Sequence, residues 1–97
     1  MIEVPAETLE EMSDRIADEY GVSKETMRFV VDCESDWNPE AVGDQGHSHG
    51  LVQIHLPSHR SITKELAQDP EFALRFLAGH LKEGRGDMWT CFRKMSR

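Results

Sequence analysis

The carboxyl group of Glu34 is the first candidate for chemistry in this chain, because of what its spacing places beside it. Met27, Val30, Val31 and Glu34 fall at i, i+3, i+4 and i+7. A helix starting near Ser23 would therefore put the acid at the end of an apolar stripe rather than on a solvated face. Pro39 disfavours helical backbone at Asn38, so that helix stops within about a turn of Glu34 and leaves the side chain near the negative end of the helix dipole. Desolvation and a helix C-terminus both disfavour ionisation. A carboxyl kept neutral near pH 7 is what protonating a glycosidic oxygen requires. The ordinary alternative is a Glu at a helix end that bends out to water.

The residues that follow weigh against that alternative. After Asn38-Pro39 come Gly43, Gly46 and Gly50, interleaved with Asp44, Gln45, His47, Ser48 and His49, and then the run Leu51, Val52, Gln53, Ile54. This predicts a turn-rich loop leading into a short strand. Glycines there would let a polymer lie close to the main chain, which makes Gly50 a candidate binding position. The Gln53 amide both donates and accepts, which suits an N-acetyl or hydroxyl group of a sugar, or equally a tie between two loops. Indole faces stack on pyranose rings, so Trp37, in the loop after the helix, is expected on a cleft wall, and Trp89 is expected in packing.

Taken together, Glu34-Ser35, Asn38-Pro39, Ala41-Val42, Gly50-Leu51 and Gln53-Ile54 resemble the lytic transglycosylase and goose-type lysozyme superfamily of peptidoglycan-cleaving enzymes. The resemblance covers roughly residues 23 to 93, continuing through Asp69-Pro70, Ala78, Gly84, Trp89 and Cys91. It implies an α+β, mostly α-helical, lysozyme-like fold with a short β-hairpin beside the catalytic helix. It also implies that Glu34 is the catalytic acid and then base at a cleft holding the N-acetylmuramic acid to N-acetylglucosamine linkage, with Ser35 and Gln53 positioning substrate and acid. Two departures bear on the reaction. Met88, Trp89, Thr90, Cys91 and Phe92 stand where many members carry an Ala-Tyr-Asn motif. Of the carboxylates that position water in goose-type lysozymes, Asp44 matches one, while His55 stands in place of the other. Inverting hydrolysis needs a second carboxylate roughly 6.5 to 9.5 Å from the acid, whereas a transglycosylase needs none, so the pattern favours the lyase over the Glu34 and Asp44 muramidase.

These groups need elements to position them, and 97 residues suit one domain spanning 1–97 with one core and a shallow cleft. Helices are predicted near residues 6 to 20, 24 to 36, 61 to 68 and 70 to 83. Leu9, Met12, Ile16 and Tyr20 stripe the first, and Thr8 with Glu11 offers a capping box. The last is the most apolar, with Phe72, Ala73, Leu74, Phe76, Leu77 and Leu81 around it, Asp69 as its cap, Pro70 in its first turn and Gly84 at its end. His80 on it is expected as a satisfied core or cleft-edge residue.

Net charge is −7, but residues 1–20 carry seven acids against Arg15 alone, leaving −1 for the rest. The acidity thus belongs to a solvated face of the first helix. Residues 82–97 are net basic through Lys82, Arg85, Arg93, Lys94 and Arg97, which would serve wall phosphates or carboxylates, or simply the surface. No basic stripe interleaved with aromatics points to nucleic acid. Cys33 and Cys91 either form a bridge fastening the Trp89 segment to the catalytic helix or remain two buried thiols. No apolar signal segment or membrane span is visible, so a route to the wall would be periplasmic, secreted or phage-delivered. His47, His49, His55 and His59 are weak metal ligands without a strong third partner. No cofactor is expected, and a monomer acting on peptidoglycan glycan strands is.

Overall fold

In the computed structural model, which describes residues 6–95, the first helix begins where its capping box puts it. The Thr8 hydroxyl accepts from the Glu11 N–H at 3.0 Å and the Glu11 carboxylate accepts from the Thr8 N–H at 2.9 Å. Both otherwise orphaned donors are thus satisfied, and α1 runs Leu9–Tyr20, starting later than the predicted residue 6. Helix α2, Lys24–Ser35, is capped by Ser23 and closed by Asp36 in the left-handed conformation, three residues ahead of Pro39. Its predicted stripe faces inward, with Met27, Val30 and Val31 fully buried and Glu34 half-buried at the end of the same line.

The loop beyond α2 forms more sheet than a hairpin. Strands β1 (Val42–Gly43), β2 (Ser48–His49) and β3 (Ile54–His55) make a three-stranded antiparallel sheet in the order β1-β2-β3, with Val42 opposite His49 and Ser48 opposite His55. The strand predicted over Leu51–Ile54 is mostly turn. Gln53 has φ +54 and its N–H returns to the Gly50 carbonyl at 3.2 Å, so only Ile54 of that run pairs as strand.

Helix α3 (Lys64–Gln68) is capped by Thr63, and α4 (Pro70–Lys82) by Asp69, whose carboxylate accepts from the Phe72 N–H at 2.9 Å, with Pro70 in its first turn. A 3-10 turn at Gly86–Met88 then leads into a short helix, α5 (Thr90–Met95), that the sequence did not predict. One apolar cluster joins α1, α2, the sheet and α4, with Ile16, Leu51, Val52, Ile54, Leu74 and Leu77 almost wholly buried. Each side chain of this kind contributes roughly 1.5–3 kcal/mol by leaving water. Cys33 and Cys91 are bonded, with Cα atoms 6.0 Å apart, which fastens α5 to α2.

Part of the acidic face of α1 is locally neutralised. Arg15 reaches Glu7, Glu19 and Glu71, and Arg75 on α4 pairs with Glu19 at 2.8 Å and Glu71 at 3.1 Å. Arg97 of the basic tail lies outside the described residues. No helix among those described is long and apolar enough to cross a membrane.

Candidate active site

A cleft of about 380 Å³ opens between the end of α2, the sheet, α4 and the start of α5. Glu34 lines it, together with Asp44, Gln53 and His55 of the residues singled out from sequence. The chain also brings Gly43, Ser48, Ile54, His59, Phe76, Met88, Trp89 and Thr90 into its wall. Burial pushes the Glu34 carboxyl above its ordinary range, and the Asp44 charge pushes it further the same way. The backbone N–H of Cys91 on the carboxylate and the more distant Lys94 charge pull it back. The net direction is upward. Desolvation therefore acts on Glu34 as its place on the apolar stripe predicts, but the nearest helix terminus is not the only one that matters: the first turn of α5 comes back to meet it.

Asp44 is exposed at the cleft edge, and its carboxylate accepts from the Ser48 hydroxyl at 2.5 Å. Asp44 (φ +51) and Gln45 (φ +58) are consecutive non-glycine residues in the left-handed region. Gln53 (φ +54), which lines the cleft as Asp44 does, is a third such residue. Such residues cost of order 1–3 kcal/mol each and persist only where their surroundings over-determine them. The hydrogen bonds of Gln53 do the determining: Nε2 donates to the carbonyls of Ala41 at 3.1 Å and Gly50 at 2.9 Å, tying the two sides of the loop. Its remaining polar atom, Oε1, lies against Gly43, where any Cβ would overlap it.

The other sequence candidates are placed differently. Ser35 is buried and its hydroxyl donates to the Val31 carbonyl at 3.1 Å, so it secures the last turn of α2 and does not line the cleft. Gly50 is buried as well. Its φ is +88, and a Cβ there would overlap the Ala67 carbonyl oxygen and come within 2.8 Å of the Ala67 carbonyl carbon, so it serves the close approach of the sheet to α3. Trp37 is absent from this cleft. With φ +63 just after α2, it lines a separate shallow depression with Glu10, Arg28, Phe29 and Asp32. Trp89 is 5% exposed and packed into the core, and its Nε1–H donates to the Val52 carbonyl at 2.8 Å, yet one edge of it still forms cleft wall.

His55 is exposed on the cleft and its Nδ1 pairs with the Ser58 hydroxyl at 2.8 Å. His59 meets Phe76 edge to face, with centroids 5.1 Å apart, and Phe76 stacks near His80 at 4.3 Å, extending an aromatic wall to Trp89. Burial, then the neighbouring His80 and His55, lower the His59 pKa. The Nδ1–H of His80 donates to the Phe76 carbonyl at 2.7 Å, which leaves it a satisfied cleft-edge residue. Among the described residues, no three His, Cys, Asp or Glu side chains converge to hold a metal ion.

Ser48, Thr90, Met88 and Phe76 had not been singled out as site residues, and His59 only as a weak metal ligand. Ser48 carried a usable signal, sitting four residues after Asp44 in a glycine-punctuated loop. Thr90 and Met88 did not, because their place depends on the return of the chain end to α2.

The geometry is that of a half-buried acid in a cleft on a mostly helical α+β fold, and one comparison with known proteins bears on it. Residues 11–92 match the transglycosylase SLT domain, a match that includes Glu34, the sheet and the cleft wall through Thr90. Comparison with curated proteins and with solved structures found no match. With that match spanning most of its length, the chain belongs to the transglycosylase SLT domain family, with the lysozyme-like fold and peptidoglycan-cleaving activity that the family carries.

Proposed function

We propose that this chain is a lytic transglycosylase that cleaves the β-1,4 bond between N-acetylmuramic acid and N-acetylglucosamine, with Glu34 as general acid and then general base. The observation that carries the reading is the half-buried Glu34 carboxyl, the cleft-lining acid whose proton is held more tightly by burial. In this reading neutral Glu34 gives its proton to the departing glycosidic oxygen as the bond to the muramic C1 breaks. The substrate's own acetamido group stabilises the cationic centre at C1. The carboxylate left on Glu34 then takes the proton of the C6 hydroxyl as that oxygen bonds to C1. The 1,6-anhydro end closes without water, and Glu34 is returned protonated. The Asp44 charge helps keep Glu34 protonated ahead of the first step.

Gln53 holds the loop that forms one wall, leaving Oε1 as an acceptor beside Gly43 for a sugar hydroxyl or amide N–H. Phe76 supplies apolar surface for a pyranose face on the other side, with an edge of Trp89 beside it.

Hydrolysis is the second reading, and one observation favours it: Asp44 lines the same cleft as Glu34, and a second carboxylate is what activating a water molecule needs. Its lone pairs are partly committed to Ser48, which counts toward a structural duty for that carboxylate. Mass spectrometry of muropeptides released from purified peptidoglycan separates the two. Products one water lighter with 1,6-anhydromuramic ends are expected, and none from Glu34→Gln. Reducing ends that disappear in Asp44→Asn would establish the muramidase. Undiminished release by Glu34→Gln would exclude both.

A further inference from the structure

Besides Glu34 and Asp44, the cleft is lined by two imidazoles, His55 and His59. Two more stand next to them. The ring centroid of His47 is 6.0 Å from that of His55, and the ring centroid of His80 is 6.5 Å from that of His59. Phe76 touches both His59 and His80, at 5.1 and 4.3 Å between centroids. His55 uses Nδ1 on the Ser58 hydroxyl and His80 uses Nδ1 on the Phe76 carbonyl, so Nε2 of each is uncommitted. The ion pairs among the described residues join arginine or lysine to acids, and none takes in a histidine.

Side chains that gain the same charge and have no counter-charge repel one another once they ionise. His59 feels this: burial, then the charges of His80 and His55, lower its pKa. A bound anion would relieve the repulsion. Among the described residues these rings do not converge with acids to hold a metal ion, so an anion is the ligand their chemistry suits. The proposed substrate supplies one. A muramic acid residue differs from N-acetylglucosamine by a lactyl ether, which ends in a carboxylate when bare and in the carboxylates of a peptide when one is attached.

We propose that His55 and His59 form a carboxylate subsite of the cleft, which takes the acidic substituent of a muramic acid residue by charge-assisted hydrogen bonds and gains a proton as it does so. This rests on the cleft being the peptidoglycan site, but not on Glu34 being the acid. The other charged or titratable groups around these rings are Glu34 and Asp44 in the cleft, His47 before β2 and His80 on α4, with exposed Arg60 following His59 in the chain. Arg75 on α4 is engaged by Glu19 and Glu71, and Lys82 lines a different depression. Asp44 repels a carboxylate, which leaves the histidines as the side of the cleft where one is accepted. The subsite would thus fix which sugar of the alternating strand lies beside Glu34.

The test measures binding to the full chain carrying Glu34→Gln, which removes cleavage and the titration of the acid together. Three probes are titrated calorimetrically at about pH 5.5 and about pH 7.5, either side of the ordinary histidine range. They are an alternating N-acetylglucosamine–N-acetylmuramic acid oligomer with free lactyl carboxylates, the same oligomer carrying peptide, and a neutral N-acetylglucosamine oligomer. The carboxylate-bearing oligomers are expected to bind about tenfold tighter at the lower pH, and the neutral one to bind alike at both. Tightening of the bare oligomer assigns the lactyl carboxylate, and tightening of the peptide-bearing one alone assigns a peptide carboxylate. His55→Gln with His59→Gln should abolish the difference between the two pH values. Equal pH dependence for neutral and acidic oligomers, or an unchanged one in the histidine variant, overturns the proposal. A second measurement needs no histidine variant to fold: the His55 and His59 ring resonances should titrate at higher pH with the acidic oligomer bound than with the neutral one, and identical titrations refute the subsite. Wall lysis by Glu34→Gln refutes the catalytic reading and leaves the subsite standing, whereas an inactive Glu34→Gln with pH-independent binding refutes the subsite alone.

Discussion

Replacing Gly50 with Ala isolates what the loop costs to build. Gly50 sits at φ +88 with its N–H bonded to the Ala41 carbonyl at 2.9 Å, and an added methyl would overlap the backbone carbonyl of Ala67 in α3. Gly21, at the end of α1, is the matched control: its φ is +70 and nothing lies within 4 Å of where a Cβ would be. The left-handed conformation costs an L-residue about 1–2 kcal/mol, and this is all that Gly21→Ala should lose. At Gly50 an overpacking cost of about 1–3 kcal/mol adds to it, because the atom met is main chain and not the movable tip of a side chain. Gly50→Ala should therefore lose about 2–5 kcal/mol, against about 1–2 kcal/mol for Gly21→Ala. Urea unfolding followed by circular dichroism would measure both. A chain of this size moves its melting midpoint by about 4–8 °C per kcal/mol, so heating gives an independent check. Gly50→Ala should also weaken activity, since the displaced Gly50 carbonyl is one of the two that hold the Gln53 amide. Equal losses for the two variants would refute the reasoning, because they would mean that α3 retreats freely and that only φ matters.

Three further outcomes follow from the same geometry. The folded-state pKa of Glu34 is raised, so the native state holds this proton more tightly than the unfolded chain, and ionising it destabilises the fold progressively as pH rises from the unfolded value through the folded one. Glu34→Gln should accordingly match the parent in urea midpoint near pH 3 and exceed it near pH 7, and a variant no more stable at pH 7 would show that burial of the charge is not costly. Trp89→Phe keeps most of the ring but leaves the buried Val52 carbonyl without its 2.8 Å donor, which should cost about 1–3 kcal/mol in thermal unfolding; no loss would mean that another donor takes its place. The Cys33→Ser, Cys91→Ser pair removes a bridge between residues 58 apart in sequence. In the chain-entropy model that should lower unfolding free energy by about 4 kcal/mol, and a loss below about 1 kcal/mol would mean that α5 is held by packing instead.

How far the sequence went can be read in particular residues. The stripe of Met27, Val30, Val31 and Glu34 was legible because it depends only on helical periodicity, and so was the capping box of Thr8 and Glu11, a local exchange of two hydrogen bonds. Asp69 and Pro70 marked the start of α4 for the same reason. What depended on long-range return of the chain was not legible. Helix α5 is six residues with a threonine and a phenylalanine among them, too short for periodicity to show and held by a bond to a residue 58 positions earlier. Gln53 was read as part of a strand because Leu51, Val52 and Ile54 around it are apolar, but two main-chain acceptors for its side chain, on Ala41 and Gly50, bend it into the left-handed region. Trp37 was expected on the cleft from its sequence proximity to Glu34. Left-handed backbone at Asp36 and Trp37 turns the chain as it leaves α2, and the indole lines the depression beside Arg28 and Phe29 instead.

The same contrast explains why the acid was easier to find than its surroundings. A carboxyl on an apolar stripe conflicts with the local pattern, and such conflicts are where function is expected to break the rules of folding. The groups that tune Glu34 break no local rule. Asp44 is an ordinary loop acid, Lys94 an ordinary surface base, and the Cys91 N–H is a main-chain group that any residue but proline would supply. Their significance lies in being brought to one carboxyl from the loop after β1 and from the last helix. Activity in this chain should therefore respond to substitutions in α5 as much as to those in the loop beside Glu34, even though α5 itself contributes no side-chain acid to the cleft.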